Sequence, residues 1–160
     1  MENVKKYRVE LDAEKHPILC EEAEYLYFKE LNSTENIVSL CNSIYHLEHA
    51  AEEHVIMLAV NLKGKALGLF EVSHGSVSHS FCNAREIYMR ALLVGASAIF
   101  LIHNHPSGEP DFSESDQKCS RHLKNAGQIV GINLLDFIVI GDNSRYVSEA
   151  EIKRTDLYTV

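Results

Sequence analysis

Three things are in short supply in this chain of 160 residues. Long apolar runs are missing: the longest, RALLVGASAIFLIH, is broken by Gly95 and Ser97, and none approaches the ~18 residues that a membrane-spanning helix needs. The chain is therefore expected to be soluble, with no membrane partner. Positive charge is also scarce. The 15 Lys and Arg stand against 23 Asp and Glu, a formal net charge of -8, whereas nucleic-acid binders draw much of their affinity from a basic patch. An average surface of this sign repels phosphate backbones, so a nucleic acid is a disfavoured partner. Cysteine is the third scarcity: Cys20, Cys41, Cys82 and Cys119 lie far apart, form no C-x-x-C pair and follow no secretory signal. That usage predicts reduced thiols in a cytoplasmic protein.

What is present is ordinary for a globular domain: 46% hydrophobic and 24% charged residues, with no sign of disorder, collagen or coiled coil. A chain of this length predicts one domain that buries roughly two thirds of its unfolded surface. Residues 1–31 read differently from the rest and are taken as an N-terminal extension, in which VKKYRVELD alternates weakly like an edge strand and PILCEEAEYLYFKELNS has no clean period. From residue 32 to residue 160 the pattern sharpens. NSTENIVSLCNSIYHLEHA carries a helical signature with Ser33 or Thr34 as N-cap. EEHVIMLAVNLKGKALGLFEVSHG gives two apolar strands joined at KGK, where Gly64 supplies the positive φ of a tight turn. NAREIYMRALLVG is a short helix framed by Asn83 and Gly95, and SAIFLIHNH is a buried strand that ends at its histidines.

After a Pro/Gly loop, SESDQKCSRHLKNAGQIVG reads as a helix capped at Ser113 and ending near Gly131 despite an internal Gly127. INLLDFIVIG is a further strand, and DNSRYVSEAE a turn, a short strand and a polar tail. This order predicts an α/β fold layered around one mixed sheet.

His103 and His105 sit two apart at a strand end, so both imidazoles can aim at one point while Asn104 faces elsewhere. Pro106, Ser107 and Gly108 force a turn, and the helix that follows brings Asp116 into its first turn. Two histidines and a carboxylate are a common catalytic zinc set, with the fourth tetrahedral position left to a water whose pKa falls towards ~7. A plainer explanation stands beside this for Ser113 and Asp116, which also form an S-x-x-D capping box.

The joint spacing H-x-H-x7-S-x-x-D of His103, His105, Ser113 and Asp116 resembles the signature of the JAB/MPN (JAMM) zinc metallopeptidases. HNHPSGEP, NAREIYMRALLVGA, LLDFIVIGD and RYVS look like their bacterial RadC-like branch, and the resemblance covers residues 32–148. It implies a single-domain curved mixed sheet flanked by helices, a cytidine-deaminase-like layered architecture. It also implies zinc ligands at His103, His105 and Asp116, with Ser113 hydrogen-bonded to the water or the oxyanion. Such sites use a glutamate general base just before the first core strand. AAEEHVIMLAV offers Glu52 and Glu53, and the family pattern favours Glu53. The implied activity is a Zn2+-dependent hydrolysis of a peptide or isopeptide bond in a protein or peptide substrate whose identity the sequence does not give.

Other histidines carry less. His46 and His49 are expected at a solvated helix end, and His74 and His79, around a glycine turn, as loop histidines near the cleft that the resemblance implies. Cys119, three residues beyond Asp116, reads as a buried small hydrophobe. Rival functions are a role in DNA repair or recombination, which the RadC name implies, and a zinc-bearing interaction module without catalysis. The first is lowered by the acidic charge and by the lack of a G-x-G hairpin or basic cluster in the first thirty or so residues, and the second by the intact motif. A zinc nucleoside deaminase would require a P-C-x-x-C that this chain lacks.

Overall fold

A computed structural model of the protein describes residues 2–75 and 83–156; His79 and Cys82 lie outside them. The chain begins with a long hairpin, β1 (Glu2–Leu11) and β2 (Pro17–Tyr27), followed by α1 (Thr34–Tyr45) and a single 3-10 turn, Leu47–His49. Then come β3 (Glu53–Val60), β4 (Ala66–Gly75), α2 (Ala84–Leu93), β5 (Ala98–Asn104), α3 (Glu114–Val130), β6 (Asn133–Ile140), β7 (Tyr146–Ser148) and α4 (Glu149–Asp156). The seven strands form one mixed sheet in the order β2-β1-β4-β3-β5-β6-β7. β5 pairs antiparallel with β3 and parallel with β6, so the strand that ends in the histidines is central and covered on both sides.

The two sheet faces are filled by alternate residues of the same strands, as the period of two requires. On one face Val55, Met57 and Ala59 pack with Ile99, Leu101, Phe137 and Val139 beneath α2 and α3. On the other, Ile56, Leu58 and Val60 pack with Ile102 and Ile138 beneath α1, which contributes Ile37, Val38, Leu40 and Cys41. Both faces being covered explains why β3, β5 and β6 read as continuous apolar runs rather than alternating ones.

Several local expectations hold in detail. Ser33 caps α1 and Asn83 caps α2, each side chain accepting a bond from the backbone two or three residues on. Gly64 turns the β3–β4 hairpin at φ 73°, and Asn61 Oδ1 adds bonds from the amides of Lys63 and Lys65. Gly127 is in α3 for space: a Cβ there would lie 2.4 Å from the Ile132 carbonyl oxygen and 2.5 Å from the Tyr88 hydroxyl.

Four readings change. VKKYRVELD is not at the edge: it is β1, between β2 and β4, bonded to β4 in parallel through Lys6 and Tyr7 opposite Leu69 and Phe70. The segment without a clean period is the edge strand itself, β2; one face only lightly covered leaves its sequence little reason to alternate. With Val4 fully buried against α1's cluster, the first two strands share the core of the rest. The polar tail becomes α4, whose start is fixed by the buried Asp136: its carboxylate accepts from the Ser148 hydroxyl at 2.6 Å and the Ala150 amide at 3.0 Å. No hydrophobic period announces such a helix, because it is held by caps. Finally, Cys119 is buried as expected but disulfide-bonded, whereas Cys20 and Cys41 are the free thiols among the described residues. Its spacing from the other cysteines gives no hint of this.

Candidate metal centre

β5 ends at Asn104, and its parallel neighbour keeps the chain in line one residue further, the His105 amide donating to the Ile140 carbonyl at 2.9 Å. His103 and His105 therefore emerge on the same side, their rings edge to face with centroids 4.9 Å apart. His103 is fully buried, with a second edge contact on Phe137. His105 is held by its Nδ1 against the Glu109 carbonyl at 2.9 Å, which leaves Nε2 to face inward.

The loop after His105 is pinned rather than loose. Gly108 turns at φ 81°, and its carbonyl accepts from the Asp142 amide and from Arg145 Nη2, each at 3.0 Å. Arg145 also reaches Glu109 at 3.1 Å and Asp142 at 2.5 Å. Gly141 lets this loop lie close: a Cβ there would stand 2.3 Å from the Gly108 carbonyl oxygen.

The loop delivers the chain to α3, where Ser113 is the N-cap of a full capping box. The Asp116 amide donates to Ser113 Oγ at 3.1 Å, while Asp116 Oδ2 accepts from the Ser113 amide at 2.8 Å and its hydroxyl at 2.6 Å. The carboxylate that starts the helix also faces the histidines: Oδ1 lies 3.4 Å from His103 Nε2 and Oδ2 lies 3.4 Å from His105 Nε2. Those separations exceed an ordinary N–H···O hydrogen bond. Each is close to the ~3.3 Å between two ligand atoms of a tetrahedral ion, the two carboxylate oxygens serving one histidine apiece. The cap and the ligand geometry are thus compatible uses of one side chain.

On the opposite flank, Glu53 is buried to 7% exposure at the first position of β3, with Oε1 2.9 Å from His103 Nδ1. One ligand atom from each of Glu53, His103 and His105 falls within 4.8 Å of the others. Glu52, its neighbour, points the other way, is 60% exposed in its side chain and pairs with His74 Nε2 at 2.7 Å. Electrostatics follow the crowding. Burial alone would raise the Asp116 carboxyl; contact with His105, the charge of His103 and the bonds from Ser113 outweigh it and hold it at about 2. His105 is raised in turn, first by Asp116, against the opposing effect of burial, with help from the Glu109 carbonyl.

Two imidazoles and a carboxylate of this spacing are donors that suit Zn2+ and its first-row neighbours rather than Mg2+ or Ca2+. The structure brings together His103, His105, Asp116, Ser113 and Glu53, all five of the side chains that the sequence singles out. It moves one other and leaves His46 and His49 where they are expected. His74 is not in a loop beside this cleft but in β4, on the α1 side of the sheet, where its ring stacks on His54 at 4.0 Å. His46, left-handed at φ 52°, closes α1 and is exposed, as is His49.

Asn104 is a side chain beside the site whose part the pattern alone does not reveal. Facing away from the histidines, its Oδ1 accepts from the His54 amide at 2.8 Å and its Nδ2 donates to the Glu52 carbonyl at 3.0 Å. It thereby grips the backbone on both sides of Glu53. Beside Asp116 a cavity of about 280 Å³ opens between α3 and α4, lined by Phe112, Gln117, Arg121 and Ile152 among others.

Comparison with known proteins identifies the chain's relatives. Residues 31–154 match the family model of the RadC-like JAB domain. A UPF0758 protein of Desulfitobacterium hafniense is 37% identical over 121 residues, 76% of this chain and 52% of its own length. Another, of Pelobacter propionicus, is 38% identical over 107 residues, 67% of this chain and 46% of its own. A third, of Desulforudis audaxviator, reaches 43% over 91 residues, 57% of this chain and 40% of its own. The chain spans about half the length of these curated relatives.

Proposed function

Because the chain belongs to the RadC-like JAB domain family, we propose that it is a zinc-dependent hydrolase that cleaves a peptide or isopeptide bond in a protein or peptide substrate. The observation that carries this reading is the clustering of ligand atoms from His103, His105 and the buried Glu53 within 4.8 Å of one another, with Asp116 3.4 Å from each imidazole. His103, His105 and Asp116 would hold the ion, which when bound acidifies water and polarises a carbonyl.

The protein's own groups do the rest. Glu53, held against His103 and shielded from solvent, takes a proton from the attacking water and returns it to the leaving amine. Asp116, kept ionised well below neutral pH by its neighbours, supplies negative charge without needing to lose a proton. Ser113 has a hydroxyl proton that points at Asp116; turned toward the scissile carbonyl oxygen, it would stabilise the oxyanion. The cavity between α3 and α4 offers room for substrate beside the reacting carbonyl.

Metal analysis of the purified chain followed by a panel of amide and isopeptide substrates tests this. Asp116→Ala should lose an equivalent of zinc, whereas Glu53→Gln should keep its metal and lose cleavage. Full retention of bound zinc by the double change His103→Ala, His105→Ala would sink the ligand assignment. Loss of metal from Glu53→Gln would make Glu53 a ligand instead of a base.

A further inference from the structure

Back to back with the centre just described, across the thickness of the sheet, is a second group of metal-ligating side chains. β3 alternates Glu53 toward α3 and His54 toward α1, the face that also receives Ile56 and Leu58. On β4 the register shifts between Val55 and Ile56, so that His54 is opposite His74 while Ile56 is opposite Glu71. The extra β4 residue, Val72, is absorbed by the bulge, which brings His54, Glu71 and His74 onto one side. One ligand atom from each lies within 4.8 Å of the others.

We propose that His54, Glu71 and His74 form a second site for a divalent transition-metal ion. Glu71 Oε1 is 2.7 Å from His54 Nδ1 and 3.9 Å from His74 Nδ1, spacings that bracket the ~3.3 Å edge of a tetrahedral site. The two rings stack at 4.0 Å with an interplanar angle of 22°, which puts the directly opposed cross-strand side chains within reach of each other; because the nitrogen lone pairs lie in the ring planes, co-ligation turns one ring out of the stack. His74 has its remaining nitrogen, Nε2, on Glu52 Oε2 at 2.7 Å, the carboxylate partner that orients a ligating imidazole.

The donors are imidazole and carboxylate, which select Zn2+, Co2+, Ni2+ or Cu2+ over the hard alkaline-earth ions. Side-chain exposures of 16% for His54, 30% for Glu71 and 53% for His74 describe a half-open pocket into which an ion can pass from solvent. Glu52 and His54 flank Glu53 in the chain, so an ion here would brace the strand end that presents the proposed base from behind. The site itself does not depend on the hydrolase reading.

Equilibrium dialysis of the full chain against Zn2+ alone reads the stoichiometry. The expected result is two equivalents for the parent chain, one for His103→Ala/His105→Ala, and none when His74→Ala is added to that pair. His74→Ala alone should keep one equivalent and leave the melting transition of the metal-free protein in place. A single equivalent in the parent chain that is lost in His103→Ala/His105→Ala, or a second equivalent that survives His74→Ala, would overturn the proposal. Anomalous scattering at the zinc edge from crystals of the unsubstituted protein asks the same question without relying on any variant's folding. A second peak beside His54, Glu71 and His74 supports the site, and density only at His103 and His105 refutes it.

Discussion

Glu52 and Glu53 are neighbours in the chain with opposite surroundings: one is solvated and paired with His74, the other buried against His103. Glu53→Gln preserves the shape and removes the proton acceptor, so turnover should fall by about 10²- to 10⁴-fold, the usual share of a general base, with zinc content measured by mass spectrometry unchanged. Asn104→Ala should behave differently. It leaves the His54 amide and the Glu52 carbonyl without the partners they have in β5, costing roughly 1–3 kcal/mol of stability in denaturant titration. Turnover should drop while metal affinity changes little, because neither histidine is touched. At this scale the candidate site was legible: a period of two places His103 and His105 together, and a helix start returns Asp116 beside them. Asn104 was legible only as facing away. Its partners are 50 and 52 residues distant, and the His54–His74 pair depends on a bulge that no local pattern announces.

Among the elements, the pinned loop between β5 and α3 carries His105 and lies close against Gly141. Gly141→Ala, which sets a Cβ against the Gly108 carbonyl, should push that loop away from β6 and weaken zinc binding at least tenfold in a chelator competition. The joint between α3 and α4 is electrostatic. Burial would raise the Glu149 carboxyl, but Lys124 at 2.5 Å, the Ser120 hydroxyl and Lys153 at 2.9 Å bring it to about 2. Since the folded value lies below the ordinary 4.5, the stabilisation is complete above that pH and is lost as pH falls towards 2. Thermal melts of Glu149→Gln should therefore lie below those of the parent chain at neutral pH, and the two should converge in acid. The central strands and three helices could be read from apolar runs and caps. α4 could not, because a short polar helix held by Asp136 and Glu149 takes its support from residues remote in the sequence.

For the whole molecule, the decisive fact is that the first hairpin closes one end of the sheet. β1 covers the edge of β4 and buries Val4 in the core. Removal of residues 2–27 would expose β4 as a new edge and is expected to produce association, visible by light scattering, together with a lower melting temperature. The sequence marks this region as different in texture, which is true of its exposure. Its membership of the sheet rests on parallel pairing with a strand some sixty residues later, and pairing at that separation leaves no local trace.

The Asn104 clamp bears finally on motion. His103, Asn104 and His105 form one short rigid unit, and its middle residue holds the backbone on either side of Glu53. Motion of β3 relative to β5 at this end is expected to carry Glu53 and the two histidines together, which keeps the 2.9 Å between Glu53 and His103 nearly constant.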